Sequence, residues 1–486
     1  MSGTGDEFAL KEVDMVDATR CLDTAPIWVQ LAGYVPNEPR LSGTSRADLV
    51  IVGGGLSGLA TAYFVAKAWP GMKIAILEAG RIGGGATGGS TGIVGPGLKM
   101  SIRRLRKTYG DQIARVAFEA SQQGVNLLRE IIYAEQIDCD ARDEPHTLAA
   151  ITHRQRDRMA AHLADLDSLG YTIDWLNEDE LVRRAGPGYV AGFSYDDVLL
   201  VDPYRLAVGL AKAVRELGVD IHEHSRVLEM RTTGSTATTL STTSADITAD
   251  RVLLAMDGYS GKLEPFRRSV IPIRAHVMAT APLTDQQRAE LGWNGRGGII
   301  DQRNYFNYYR MTADQRLVFG GGPVVVPTED PVPDSRSADA VQVRLRREMA
   351  ARFPVLRDIP VVARWKSLAG STEDRLPIVA GVPGMPGVHY AGAWCGHGLS
   401  LSVHSAWRFS ELLWGQADSH LLPWTKSRGI ALPRPALELG SRLYVRLLDL
   451  ADKYDVRTGA VRPPAEPRVF QPAESSTATR RMEVVR

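Results

Sequence analysis

The stretch Asp48-Leu-Val-Ile-Val-Gly-Gly-Gly-Leu-Ser-Gly58 leaves this chain few options, because an apolar run meets glycines spaced G-x-G-x-x-G and passes straight into a helical pattern. Leu49 to Val52 read as a strand buried on both faces. Gly53 permits a tight turn, Gly55 lets the backbone approach a pyrophosphate, and Gly58 and Ala62 are small where a helix must press on a sheet. The helix predicted from Leu56 to Ala68 begins at Leu56 and Ser57 and points its first amides at that pyrophosphate, where unpaired N–H groups and the helix dipole favour negative charge. A second strand, Lys73 to Leu77, ends in Glu78 about 20 residues past the last glycine, where a carboxylate can accept both hydroxyls of a ribose. A lone glycine motif is only a turn in an α/β protein. With strand, helix, Ala62 and Glu78 all in register, the stretch predicts dinucleotide binding.

At 486 residues the chain is too long for one hydrophobic core and long enough for two domains. Lys plus Arg (57) nearly balances Asp plus Glu (56), so the overall charge argues for neither nucleic acid nor an acidic surface as partner. Cys21, Cys139 and Cys395 are odd in number and far apart, which excludes a disulfide framework and a cysteine zinc site; no metal is expected. The acidic N-terminus is no secretory signal and no run is long enough to span a bilayer, so a cytoplasmic protein is expected.

Residues 1–46 read as an arm. After Glu78 comes a glycine-rich loop, Arg81 to Gly92, too flexible to pack unless a ligand or close backbone contact orders it. Its Gly88-Gly-Ser90-Thr-Gly92 matches G-x-S-x-G but lacks the flanking strand and helix of a nucleophile elbow. Helical spacing runs from Ile102 to about Gln136, with Arg103, Arg104, Arg106 and Lys107 as a solvated face. A strand is expected over 147–151 and a helix over 154–169. A second helix is expected from Val201-Asp-Pro203 to Leu217. Residues 220–227 read as a strand that places His222 and His224 on one face, with no third ligand nearby. A hairpin over 232–244 and a buried strand over 251–258 follow. From 263 to 364 the texture is β-rich, as for an antiparallel sheet. The glycine-punctuated pattern then resumes, ending in a helix from about Leu399 to Trp414, another over 436–453, and a disordered tail from Pro463.

Taken together, Gly53-x-Gly55-x-x-Gly58 with Glu78, the glycine loop, Asp374-Arg-Leu-Pro377 and Gly392-Ala-Trp-Cys-Gly-His-Gly398 resemble the FAD-dependent amine and amino-acid oxidoreductases of the D-amino-acid oxidase (DAO) family. Asn307-Tyr-Tyr-Arg310, Phe319-Gly-Gly-Gly322 and the stretch holding Trp28 are most similar to the gamma-glutamylputrescine oxidase branch. The resemblance implies a fold of α/β plus α+β class: a Rossmann-type FAD-binding domain from residues 47–100, 200–262 and 365–420, and a mainly antiparallel β-sheet substrate domain from 101–199 and 263–364. Residues 421–486 remain as a C-terminal helix and tail. It implies FAD contacts at the motif and Glu78, at Ala79, Arg81, Gly85, Ala86 and Thr87, at Val227 facing the adenine, at Asp257 and Gly258, at Asp374, and at Gly396, His397, Gly398, Leu399 and Ser400. Amides of that last loop, at a helix N-terminus, would favour negative charge on the reduced flavin.

Departures from the family narrow the substrate. Where glycine oxidase-like members place an arginine to clamp an α-carboxylate, this chain has Ala369, which favours an amine over an α-amino acid; Arg310, or another arginine, could restore such a clamp. Where sarcosine oxidase-like members use a lysine for oxygen activation, the matching strand offers Tyr305, Tyr308 and Tyr309. His276 and His397 are candidates for proton handling beside Tyr305 and Tyr308, with Trp394 as a further pocket wall, and each histidine could equally be a satisfied core residue. Cys395 reads as a free buried cysteine rather than a flavin attachment point. The expected reaction is oxidation of an amine C–N bond to an imine and then an aldehyde, with oxygen as acceptor and hydrogen peroxide formed. The alternative is a dehydrogenase or tailoring enzyme acting on an amino acid, N-methyl or ring amine with another acceptor.

Overall fold

The computed structural model describes residues 25–33, 37–233, 237–263, 266–325 and 335–412, together with residues 7–8, Trp424 and part of 440–455. A short helix, α1 (Ile27–Ala32), precedes β1 (Gly43–Val52), which carries Leu49 to Val52 into the interior. The turn at Gly53 has φ +117°, and a Cβ there would lie 2.6 Å from Ala255 O. α2 (Leu56–Ala68) then packs so closely that a Cβ on Gly58 would stand 2.1 Å from Gly53 O. The glycine spacing is therefore a steric requirement of the strand-to-helix contact. β2 (Ile74–Leu77) lies parallel to β1.

The helical pattern over 102–136 resolves into α3 (Ile102–Tyr109) and α4 (Asp111–Ala134), separated by Gly110 at φ +84°. Of the basic cluster, Arg103 pairs with Asp165, and Arg106 with Asp111 and Asp165, so these charges serve a surface network. β3 (His146–Ala150), α5 (His153–Asp167) and β4 (Ala191–Tyr195) follow. α6 (Pro203–Glu216) starts where expected: Asp202 accepts from Tyr204 N and Arg205 N, and Pro203 occupies the first turn, where no amide partner is needed. The strand expected over 220–227 is two strands, β5 (Asp220–His222) and β6 (Val227–Thr233). His224 sits between them at φ +51°, so His222 and His224 share no strand face. β7 (Ala237–Thr242) and β8 (Ala245–Leu254) complete the meander.

The β-rich stretch contains β9 (Ile271–Pro282), β10 (Gly298–Asp301), β11 (Asn307–Met311), β12 (Arg316–Val325) and β13 (Val361–Ser371). It also contains a long helix, α7 (Ser335–Arg352), which the sequence reading had absorbed into the sheet. β14 (Ile378–Gly381), β15 (Val388–Gly392) and α8 (Gly398–Leu412) bring the chain back to the first sheet. That sheet has a parallel core in the order β15-β8-β1-β2-β5, extended by the antiparallel β6-β7-β8 meander and the β14–β15 hairpin. The second sheet runs β13-β9-β12-β11-β10-β3-β4 and is antiparallel except for the β10–β3 pair.

Alternation gives the second sheet two different faces. Val277, Ala279, Val318 and Trp365 pack with Trp28 of α1 and with Tyr204 and Val208 of α6. Met278, Tyr309 and Phe319 pack with Val341, Leu345 and Met349 of α7. The glycine loop reaches the first of these faces, where Trp365 Nε1 donates to Gly89 O and Trp28 Nε1 to Ser90 O. α4, read from sequence as part of the second domain, instead joins the first core: Ala117, Val125 and Leu128 pack with Leu56, Leu59 and Leu401. The tail from Pro463, half of the helix read over 436–453 and most of the N-terminal arm lie outside the described residues. The described end of that helix is tied down by Asp452, which accepts from Asn304 N and Tyr305 N, and by Asp455, which pairs with Arg154 and Arg158. Among the described residues no helix is long and apolar enough to cross a membrane.

Candidate active site

At the N-terminus of α2 the first amides have no side-chain cap from Gly55; Leu56 N donates to Thr87 Oγ1 at 3.0 Å, so the glycine loop folds over the helix end. The Ser57 hydroxyl is buried there with no partner, in position to serve an anionic ligand. Glu78 accepts from Gly54 N and Gly80 N, both at 2.7 Å, which fixes its carboxylate beside the motif while burial, with Glu223 nearby, raises its pKa. Free helix amides, an orphaned hydroxyl, glycines that tolerate no Cβ and an acid at the strand end together fit the pyrophosphate and ribose of FAD. Ala79 and Arg81 lie on the turn after Glu78, and Gly85 precedes the single helical turn Ala86–Gly89. Ser90 sits beyond that turn and before an extended pair, outside any strand-to-helix elbow.

Glu223 carries no signature in the sequence, standing between His222 and His224. It is fully buried and accepts from Ile82 N at 2.7 Å and Glu38 N at 3.1 Å, so it pins the loop after β2 to the N-terminal arm. The next residues continue the tie: His224 N donates to Gly80 O and Ser225 N to Glu78 O, which brings Val227, the first residue of β6, close to the acid end of the cradle.

Asp257 has a different setting from an open cofactor ligand. Its carboxylate accepts from Gly370 N at 2.9 Å and Trp394 N at 3.2 Å, joining the ends of β8 and β13 and the segment after β15. A Cβ on Gly258 would lie 2.6 Å from the Ala369 carbonyl carbon, so these strands meet backbone to backbone. Asp374 likewise braces its own turn, accepting from Thr372 Oγ1 and Leu376 N, and leaves Arg375 at φ +64°. Gly396, His397 and Gly398 lead into α8. Ser400 Oγ donates to Gly95 O at 3.0 Å, docking that helix on the segment after the glycine loop, while Leu399 packs on the first core.

Between this loop and the second sheet several ring and charged side chains gather. Phe306 and Tyr308 stand with ring centroids 5.9 Å apart, and Lys99 Nζ lies 4.7 Å from the Phe306 centroid. His397 approaches Gly97, and His146 approaches Gly95. Burial, then the charge of Lys99 and the neighbouring His146, lowers His397 to about 3; burial alone takes His146 to about 4. Both imidazoles are neutral near pH 7. Lys99 is reached by solvent yet enclosed enough that desolvation lowers its pKa, with Arg375 adding to the effect. Burial pushes the Tyr308 phenol up.

Two expected members of this group are elsewhere. Alternation along β9 puts His276 on the α7 face with Met278, opposite the face of Val277 and Ala279. It is 1 % exposed, with both ring nitrogens unpartnered. Tyr305 is buried where its N–H donates to Asp452 and the Arg344 guanidinium covers its ring. Its neighbour Phe306 pairs instead with the Tyr308 ring. Tyr309 packs against Phe319 on the α7 side, and Trp394 belongs to the first core. Arg310 is fully buried, and its Nη1 donates to Thr91 O, Gly92 O and Val201 O, so it supports the loop, while its Nη2 has no hydrogen-bond partner. The Cys395 thiol is buried, donates to Ala393 O and has its pKa raised by desolvation, as an inert cysteine should. Lys99, His146 and Phe306 were missed because no motif contains their spacing; only the tertiary fold assembles them. No cluster able to hold a metal ion occurs among the described residues.

A Rossmann-like cradle, a distant helix N-terminus and a large antiparallel sheet beside them are the parts of a flavin-dependent oxidoreductase. The chain belongs to the DAO family: the model of that family, described as FAD dependent oxidoreductase, matches residues 48–412. It is 30% identical over 423 residues to a probable oxidoreductase OrdL of Rhizobium meliloti, covering 86% of this chain and 93% of that protein. It is also 30% identical over 395 residues to the gamma-glutamylputrescine oxidoreductase of Escherichia coli, covering 79% and 87%. The crystal structure of glycine oxidase from Geobacillus kaustophilus matches with a TM-score of 0.67 at 22% identity, covering 80% of this chain and 100% of that one.

Proposed function

We propose that this FAD-dependent oxidoreductase oxidises the C–N bond of an amine whose reacting carbon bears no carboxylate, giving an imine that water hydrolyses to an aldehyde. The observation that carries this reading is the missing clamp: Ala369 stands against Gly258, and Arg310 is engaged by three backbone carbonyls. The gamma-glutamylputrescine oxidoreductase relative supports it. Bound FAD supplies the two-electron acceptor. The chain supplies the setting for that chemistry. Phe306 and Tyr308 offer an aromatic wall that orients an alkyl amine and displaces water. The desolvation that lowers the Lys99 pKa also disfavours an ammonium beside it, so the substrate reacts as the neutral amine that oxidation requires. His397, neutral at working pH, can hold a hydrogen bond but carries no charge. Amides at the start of α8 favour negative charge beside them. Oxygen is the acceptor in this reading; a non-oxygen acceptor is the alternative.

Anaerobic bleaching of the flavin absorbance by a panel of diamines, N-acylated diamines, N-methyl amines and small α-amino acids tests the proposal. Bleaching by the amines is expected. Bleaching by glycine or D-alanine with comparable efficiency would overturn it.

A further inference from the structure

The described part of the C-terminal helix is amphipathic in the reverse sense. Residues 446–448 and 450–455 are helical, and Asp452 and Asp455 are buried, while Leu443, Leu447 and Leu450 are 59, 54 and 59 % exposed. Steps of four and three residues put these leucines on one helix face, and the exposed Tyr454 continues it four residues on. A globular helix ordinarily turns such a stripe to the core. Here the docking bonds fix the opposite orientation. Asp452 accepts from Asn304 N at 2.9 Å, Asn304 Nδ2 at 2.8 Å and Tyr305 N at 2.9 Å. Asp455 accepts from Arg154 at 2.9 Å and from Arg158 at 3.3 Å, both on α5. These directional bonds turn the two acids inward and hold the leucines in water.

Charge indicates what covers the stripe. Arg446 is exposed on the same face, three residues from Leu443 and four from Leu450. Arg154 and Arg158, exposed on α5, share the one carboxylate of Asp455, so a positive charge is left over. Residues 456–486 follow directly and carry six arginines against three glutamates. A second copy of this chain, related by a twofold axis, would set these cations against one another. Three leucines and a tyrosine also fall well short of the about 800 Å² per partner that a stable protein interface needs. The chain's own cationic tail is repelled from the same rim. An anionic lipid surface accommodates both features, burying the leucines while it attracts the cations.

We propose that the C-terminal helix binds this enzyme peripherally to an anionic membrane surface. Leu443, Leu447 and Leu450 enter the interface, and Arg446 meets the lipid phosphates. The proposal is independent of which amine is oxidised.

The test sediments the full-length holoenzyme with vesicles of phosphatidylcholine alone and of phosphatidylcholine mixed with phosphatidylglycerol, at low and at raised salt. Binding to the anionic vesicles is expected, weakening as salt rises. Leu447→Gln and Leu450→Gln should each weaken it on the order of 10-fold, the share of one buried leucine, and Arg446→Gln roughly 5-fold, the share of one cation. All three side chains are exposed, so flavin content and melting temperature should match wild type and separate a lost contact from a lost fold. Absence of binding to anionic vesicles overturns the proposal. Binding that survives the double leucine variant overturns it too, by assigning attachment to the cationic tail. Sedimentation equilibrium without lipid is the last arm: a wild-type dimer that Leu447→Gln dissociates would give the stripe to a second copy of the chain and overturn the membrane assignment.

Discussion

Glu78 and Glu223 show how much depends on a few buried carboxylates. Glu78 takes two backbone N–H groups at once, and a Gln there would turn its amide against one of them. Glu78→Gln is therefore expected to weaken FAD retention by about 10- to 100-fold in Kd, read as the flavin-to-protein ratio after dialysis; undiminished retention would remove Glu78 from the cradle. The motif made this acid legible, because its spacing from the glycines reflects one geometry of strand, turn and helix. Tyr305 was misassigned for an equally physical reason. Tyr305 and Phe306 stand in the turn just before β11 and their rings face different partners, and nothing in a turn's residue types says which one joins Tyr308. The Phe ring was overlooked because it carries no titratable group.

At the level of elements, the parallel core, the β9–β13 sheet and α8 were readable from apolar runs and their punctuation. The break at Gly110 and the helix α7 were not. Gly110 ends one helix and starts the next with no proline to announce it. α7 buries only a thin stripe, Val341, Leu345 and Met349, amid several arginines. The most demanding contact between elements is α4 on α8, where a Cβ at Gly124 would stand 2.1 Å from Ser400 O. Gly124→Ala must push α8 away, costing about 1–3 kcal/mol. It should also loosen flavin binding, since Ser400 docks the loop that begins the helix. Thermal unfolding with and without added FAD measures both effects, and a variant as stable as wild type would contradict the packing.

Across the whole molecule, buried neutral histidines set the response to acid. His276 and His404 are lowered to about 4, mainly by burial and further by Lys366 and Arg274 in the first case and Arg408 in the second. Their folded pKa values lie below the ordinary one of about 6.5, so the unfolded chain binds more protons in between. Stability is intact above about pH 6.5 and is lost as pH falls toward 4, on the order of 3 kcal/mol for each histidine. His276→Gln should flatten the fall of denaturation midpoint over that window, and an unaltered slope would count against the buried neutral imidazole. The tie made by Asp257 bears on biosynthesis as well. Its amide partners on Gly370 and Trp394 leave the ribosome long after the glycine motif does, and α8, which closes the cradle, comes later still. A nascent chain that has already made its dinucleotide motif therefore still lacks the segments that complete the cradle, and firm loading of the cofactor follows the emergence of α8.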